Sequence, residues 1–277
     1  MRVLSLGSDT YFSINNEPDE KKNSNGRSSL DASKIHWNGG NMVGDMDTTR
    51  ERGWLSETRA QITIKNLRKN HINAWYVPTR AEALSAIVGM VSNGATVVRG
   101  DSVTLDQIGV IPALIKRGQN QVVDPFEVDT SGRLLYKPEQ AVNMYQEAFT
   151  ADVFLAGSNA ITLDGKLVNT DGLGNRVAPM IFGPKKVILA AGVNKIVNDV
   201  EEARKRIRDI CAPLDVKRYI LKQDQTEYGE LPCAKTGICV DCKHDLRFCC
   251  YTVIIEAVAI TEHGRINVVL IGEELGY

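Results

Sequence analysis

The sequence of 277 residues lacks several features that would assign it to a functional class at once. Its net charge of −1 gives no electrostatic case for nucleic acid or an anionic membrane as a partner. No apolar run approaches the roughly 20 residues of a membrane-spanning helix. The apolar stretch near Met1 is also too short for a secretory signal. We therefore expect a cytoplasmic protein that neither binds nucleic acid nor inserts into a membrane.

Common cofactor and nucleophile motifs are missing as well. No G-x-G-x-x-G follows a strand and no G-x-x-x-x-G-K-[ST] occurs, so the sequence makes no case for a dinucleotide or ATP. The G-x-S-x-G turn that carries a nucleophilic serine is absent too. The four histidines are scattered along the chain, and His244 alone falls among the clustered cysteines.

Cysteine is the residue type that stands out. Five of the six cysteines lie between positions 233 and 250, in the pattern C-x5-C-x2-C-x6-C with Cys250 directly after. Thiolates are soft ligands, and in a reducing compartment clustered cysteines favour a metal over disulfides. The expected ligands are Cys233, Cys239, Cys242 and Cys249, with Cys250 or His244 as a possible replacement for one of them.

The uneven spacing favours an iron–sulfur cluster, because a structural zinc site usually shows two C-x2-C pairs. Zinc is the alternative, and a metal-free thiol cluster is a third reading. A metal with only three thiolate ligands would keep an open position and act as a Lewis acid. Cys211 stands apart from the others, and we expect it to be a buried apolar filler.

The order of the predicted elements indicates an α/β fold. Residues 1–53 are rich in Asn, Ser, Gly and charged residues and predict a loop-rich arm, in which His36 and Trp37 would dock on another surface. From Glu57 onward, predicted helices alternate with short apolar strands, so residues 54–277 are expected to form one domain. This alternation predicts a mostly parallel sheet with helices on both faces.

Open sheets of this type bind ligands beyond the carboxyl ends of their strands. The loops after the strands that end at Val98, Ala156 and Ala191 are therefore the candidate binding loops. They and the segments that follow carry polar side chains suited to holding an anion or moving a proton. These candidate residues are Ser102, Thr104, Asn159, Asp171, Asn175, Arg176 and Lys195, with Asp171 as the proton carrier.

Several stretches together resemble the lactate-utilisation (LUD) domain family, in particular its branch with a C-terminal cysteine motif. The matching stretches are GDSVTL at 100–105, ADVFLAGSNAIT at 151–162, NTDGLGNRVA at 169–178, FGPKKVI at 182–188, AGVNKIV at 191–197, PCAKTGICVDC at 232–242 and GEELGY at 272–277. The resemblance begins near Leu55 and implies a three-layer α/β/α sandwich like that of sugar-phosphate isomerases and coenzyme A transferases. One departure is Asp101, where a glycine-rich Gly-Gly-Ser turn is expected, because an acidic side chain there weakens an anion cradle.

The resemblance also implies an association with 2-hydroxyacid oxidation beside iron–sulfur subunits. One hypothesis is an enzyme acting on a small hydroxy- or oxo-acid, by lactate-type oxidation or by a Lewis-acid lyase or isomerase reaction. In it, Arg176 and Lys195 hold the carboxylate, Asn159 and Asn175 hold hydroxyls, and Asp171 moves a proton. The alternative is a non-catalytic structural or electron-transfer subunit of a larger oxidase. A homo-oligomer or a redox partner subunit is compatible with both.

Overall fold

The computed structural model describes residues 47–277, and the greater part of the predicted N-terminal arm, with His36 and Trp37, lies outside them. The described part contains nine α-helices: α1 Thr49–Lys69, α2 Arg80–Met90, α3 Val103–Ile108, α4 Val110–Arg117, α5 Pro138–Glu147, α6 Val177–Ile181, α7 Val200–Arg206, α8 Ala212–Gln223 and α9 Pro232–Thr236. It also contains ten strands: β1 Asn73–Val77, β2 Thr96–Arg99, β3 Gln121–Val123, β4 Val153–Gly157, β5 Ala160–Thr162, β6 Leu167–Asp171, β7 Lys186–Gly192, β8 Ile196–Val197, β9 Tyr251–Ile255 and β10 Ile266–Ile271.

Six strands form one parallel sheet in the order β1-β10-β7-β4-β2-β3. Its central strands are apolar on both faces, as expected for a sheet covered on both sides. In β7, Val187 and Leu189 face one core, whereas Ile188 and Ala190 face the other, because side chains alternate along a strand. The predicted α/β fold with a mainly parallel sheet is confirmed.

The two faces of this sheet are covered by different elements. Helices α2, α3 and α4 cover one face, through residues such as Ile87, Leu105 and Leu114. Helix α1 covers part of the opposite face with Ile64 and Leu67. The six-stranded sheet therefore has a hydrophobic core on each side.

A second sheet of four strands also packs on the face that α1 covers, in the order β8-β5-β6-β9. Strands β5 and β6 form the hairpin expected near Asp164 and Gly165, and β9 pairs antiparallel with β6. The sequence predicted a strand at the position of β9 but did not predict that it would join a separate sheet. This pairing places the segment after the cysteines directly against β6.

One helix boundary differs from the sequence prediction, and a second helix has an irregular last turn. Helix α1 begins at Thr49, eight residues before the expected start at Glu57 and within the span assigned to the arm. The helix expected from Asp199 to Cys211 begins as predicted, since the Asp199 side chain accepts a hydrogen bond from the Glu202 backbone N–H at 2.8 Å. Its last turn, Ile207–Cys211, is a π-helix. Such turns are rare and are frequent at functional sites.

Within residues 47–277, no helix combines the length and the apolar character that crossing a bilayer requires.

Candidate functional site

A cavity of about 820 Å³ lies at the carboxyl edge of the main sheet. The neighbouring strands β10, β7, β4 and β2 all end there, and the segments after them bring Gly276, Lys195, Ser158 and Ser102 to its wall. Helix α8 and the segment after α9 close its other sides. The structure thus brings most of the predicted site residues together: Ser102, Asn159, Asp171, Asn175, Arg176 and Lys195 line the cavity, and Thr104 lies behind Lys195.

Lys195 is the buried amine of this cavity. It ends a short 3-10 turn after β7 and is only 5% exposed. Its Nζ donates a hydrogen bond to Thr104 Oγ1 at 2.9 Å, and no carboxylate among residues 47–277 forms an ion pair with it. Burial, aided by the positive charges of Arg206 and Arg176, lowers the pKa of Lys195 to about 7. A buried titratable group with a perturbed pKa in a cavity indicates a functional site.

Arg176 and Asp171 form an internal brace. Asp171 Oδ2 accepts the backbone N–H groups of Arg176 and Val177, both at 2.8 Å, at the start of α6. Its Oδ1 pairs with Arg176 Nη2 at 2.7 Å. The same guanidinium donates to oxygens of Gly157, Asn159, Asn169 and Thr170 at 2.8–3.2 Å.

These contacts affect the roles predicted for Arg176 as a carboxylate ligand and for Asp171 as a proton carrier. The terminal nitrogens of Arg176 and both oxygens of Asp171 already have partners within the protein. These contacts favour a positioning role for both residues over direct contact with a substrate. Of the two cations predicted to hold a carboxylate, Arg176 and Lys195, it is Lys195 whose N–H donors remain available to a ligand.

Arg206 and Cys211 lie beside Lys195. Arg206 is 8% exposed, and its guanidinium donates to the carbonyl oxygens of Asn194 and Asn159 and to Cys211 Sγ at 2.9 Å. In the described part of the chain, Arg206 has no carboxylate as ion-pair partner. Cys211, expected to be a filler, is buried but lines the cavity. Burial raises the pKa of its thiol, so it remains a thiol at neutral pH.

Another wall of the cavity is lined by a network of charged and phenolic groups, which the sequence did not predict. Arg218 pairs with Asp101 and with Asp215, at 3.1 Å for the second pair, and the Tyr277 hydroxyl donates to Asp215 at 3.1 Å. The Tyr219 hydroxyl donates to Asp101 at 3.0 Å. Burial opposes ionisation of Asp101, but the charge of Arg218 outweighs it and holds the pKa of that carboxyl below its ordinary value. Arg218 on α8 therefore neutralises Asp101, the unexpected acid in the loop after β2.

Only the unusual acid at position 101 hinted at this network in the sequence. A buried partner for it had to come from elsewhere, but Arg218 is 117 residues away and no spacing rule points to it. Chain folding alone brings these groups to one wall.

The end of the cysteine segment lines the cavity. Phe248 contacts Tyr228 and Tyr219 edge-on, at ring-centroid distances of 4.6 and 5.0 Å. The backbone N–H of Cys250 donates to the carbonyl of Asp171 at 2.9 Å. Cys249 and Cys250 both line the cavity. These two cysteines, at the end of the segment, are therefore within reach of a ligand in the cavity, whereas Cys233, Cys239 and Cys242 are not among the residues that line it.

The four expected ligands share one neighbourhood. Burial raises the pKa of the Cys233 thiol, and the nearby Cys242, Cys249 and Cys239 add to that rise. Two of the sulfurs accept N–H donors, Cys239 from the Asp241 backbone at 3.5 Å and Cys249 from the Arg247 side chain at 3.4 Å.

These donors suit a soft metal or an iron–sulfur cluster in kind and in location. Across residues 47–277, however, no three Cys, His, Asp or Glu side chains converge as a coordination sphere. The thiols would have to turn toward one another to complete a site.

Comparison with protein families identifies the type of domain. The profile of the LUD domain family matches residues 60–271. No curated protein matches the chain. Among solved structures, a DUF162 family protein from Deinococcus radiodurans aligns with a TM-score of 0.44 at 11% identity, over 78% of this chain and 97% of that one.

Two sugar-phosphate isomerases align over shorter stretches. Ribose 5-phosphate isomerase from Plasmodium falciparum gives a TM-score of 0.29 at 18% identity, over 43% of this chain and 52% of that one. Ribose 5-phosphate isomerase A from Neisseria gonorrhoeae gives 0.29 at 17% identity, over 50% and 65% of the two chains.

Proposed function

The chain belongs to the LUD domain family, and from this membership and the cavity we propose that it is an enzyme acting on a small hydroxy- or oxo-acid. The observation that carries the proposal is Lys195, a buried amine at the wall of the cavity that has no carboxylate partner among residues 47–277. The reaction class is a lactate-type oxidation or a lyase or isomerase reaction.

The charge at this end of the cavity supports an anionic substrate. Lys195 and Arg206 are both buried, and neither has a carboxylate partner among the described residues. Two buried cations without counter-charges are costly. A bound carboxylate would supply the missing negative charge and raise the protonated fraction of Lys195.

Polar groups for the rest of the substrate line the same wall. Asn175 lies there half-buried, and Ser102, whose Oγ accepts the Leu105 backbone N–H at 3.3 Å, retains a hydroxyl proton to donate. Asn159 Oδ1 already accepts from Arg176 and from the Thr170 backbone, which leaves its amide N–H groups for a ligand. We propose that Asp171 acts by holding Arg176 and the loop in place.

The proposed metal ligands are Cys233, Cys239, Cys242 and Cys249, with an iron–sulfur cluster as the first choice and zinc as the alternative. When bound, the group would supply either one-electron transfer or Lewis-acid polarisation of a substrate oxygen. The chain's own part is to hold the end of this segment against the cavity, through the packing of Phe248 on Tyr228 and the hydrogen bond from the Cys250 backbone to Asp171.

Binding of small acids tests the proposal. Isothermal titration with lactate, glycolate and pyruvate should show at least one ligand, whose affinity falls by about 10- to 100-fold in Lys195→Met because a charged hydrogen bond is lost. Affinity should also fall as the pH rises through about 7, since Lys195 loses its proton there. The matched control is Lys116→Met, which replaces an exposed lysine of α4.

Absence of binding, or equal binding by both variants, would refute the assigned site. A brown protein that contains iron but binds no acid would favour the alternative of an electron-transfer subunit.

A further inference from the structure

The surroundings of Lys195 fit a chemical role as well as pairing with a charged ligand. Its Nζ has a single hydrogen-bond partner among the described residues, Thr104 Oγ1, while the amine reaches the cavity wall. A lysine that served only to stabilise the fold would be expected to meet a carboxylate at this depth. Here, within the described part of the chain, the Thr104 hydroxyl accepts one hydrogen bond from the amine, and the other hydrogen-bonding positions of Nζ are left for a ligand.

The charged groups that face Lys195 come from three elements. Arg176, at the start of α6, is compensated by Asp171. Among the described residues, Arg206 on α7 is paired only with carbonyl oxygens and Cys211. Cys211 on the π-helical turn favours the ammonium form, and the two arginines oppose it. Burial and the two arginines together outweigh Cys211 and lower the pKa of Lys195 to about 7, so a large fraction of the amine is unprotonated near neutral pH. Desolvation and a neighbouring cation are the two ways in which proteins make a lysine nucleophilic.

The space beside Nζ is kept free by a glycine. Gly276 has a φ of +63°, and a Cβ on it would lie 3.0 Å from Lys195 Nζ and 2.5 Å from Thr104 Oγ1. A side chain at position 276 would therefore crowd both the amine and Thr104, to which the amine donates its hydrogen bond. This glycine also lines the cavity, so the chain leaves room where a ligand atom would approach Nζ.

The following inference rests on the proposed function. We propose that Lys195 is a nucleophile that forms an imine with the carbonyl carbon of an oxo-acid bound in this cavity. The Nζ lone pair forms a C–N bond while the carbonyl π bond opens, and the oxygen takes a proton to give a carbinolamine. The hydroxyl then leaves with the second amine proton as water, and the C=N bond forms. No electrons are gained or lost overall, and no co-reactant is needed. A protonated imine withdraws electrons from the adjacent carbon, which suits lyase or isomerase chemistry.

Reductive trapping on the full-length protein tests this step. The protein is incubated with pyruvate and sodium cyanoborohydride, and intact mass and peptide mapping locate any adduct. The expected product is one added group per chain on Lys195, with the mass of pyruvic acid less one oxygen atom. The rate of trapping should rise as the pH increases through about 7, opposite to the binding of an unreactive hydroxy-acid. Lactate should protect Lys195, and Lys195→Arg should give no such adduct.

Wild-type mapping keeps the test valid even if the Arg variant does not fold. If lactate or pyruvate binds at the cavity but no adduct forms on Lys195, the imine is refuted while the proposed function stands. Adducts spread over surface lysines, with no protection by lactate, also refute it. If no acid binds at all, the proposed function and the imine fail together.

Discussion

Replacing Lys195 with methionine should stabilise the protein, and the gain should depend on pH in a defined direction. The structure lowers the pKa of Lys195 from 10.5 to about 7. Between these values the unfolded chain binds a proton that the folded chain does not, so wild-type stability rises with pH across this window. Methionine has a similar length and no charge, and it removes this dependence.

The magnitude follows from the size of the shift. At about 1.4 kcal/mol per pH unit, lowering the pKa from 10.5 to about 7 costs the folded state roughly 5 kcal/mol below pH 7. Losing the hydrogen bond to Thr104 offsets about 1 kcal/mol of the gain. We therefore expect Lys195→Met to be more stable than wild type by about 2–4 kcal/mol at pH 6, and by about 3 kcal/mol less than that at pH 9, from the same linkage relation.

Urea unfolding of both proteins at pH 6 and pH 9, followed by circular dichroism, measures this difference. Other titrating groups contribute equally to both proteins and cancel in the comparison. Lys116→Met, at an exposed position of α4, should change stability by less than about 0.5 kcal/mol at either pH. Equal stabilities of Lys195→Met and wild type at pH 6, or a difference that does not vary with pH, would show that Lys195 is not a buried, destabilised amine.

Three further predictions follow from the same cavity. Gly276→Ala should block trapping of an oxo-acid on Lys195. The control is Gly118→Ala, because Gly118 has a similar positive φ but open space around a Cβ, and it should show only the backbone cost of about 1–2 kcal/mol in urea unfolding. Trapping at the wild-type rate in Gly276→Ala would contradict the idea that a side chain at position 276 crowds the amine. Arg176→Met should cost about 3–5 kcal/mol of unfolding free energy, because it leaves a buried carboxylate without its partner, and a loss below about 1 kcal/mol would show that the brace is weak. Cys239→Ser should lower the metal content of anaerobically purified protein while cavity binding of acids persists, and unchanged metal content would remove Cys239 from the proposed ligands.

The roles of individual residues were less predictable than their location. The strands that end near Val98, Ala156 and Ala191 could be read from apolar runs between turn signals, and parallel strands present their carboxyl ends at one edge. That edge is where Ser102, Asn159 and Lys195 meet. The same reasoning gave no means of separating Lys195 from Arg176. Both are cations in polar loops, and only the contacts show that one is saturated by protein oxygens and the other is not.

The sequence by itself determined the α/β class, the parallel sheet, the polar loops at its carboxyl edge and the crowding of thiols into one late segment. These are properties of local periodicity and spacing, which act over a few residues. Only the tertiary structure decided that Arg218 neutralises Asp101 and that Phe248 packs the end of the cysteine segment against Tyr219 at the cavity. It also decided that Lys195 is buried without a carboxylate partner in the described chain. Desolvation and pairing depend on which side chains folding brings together, often from more than a hundred residues apart, and no local pattern carries that information.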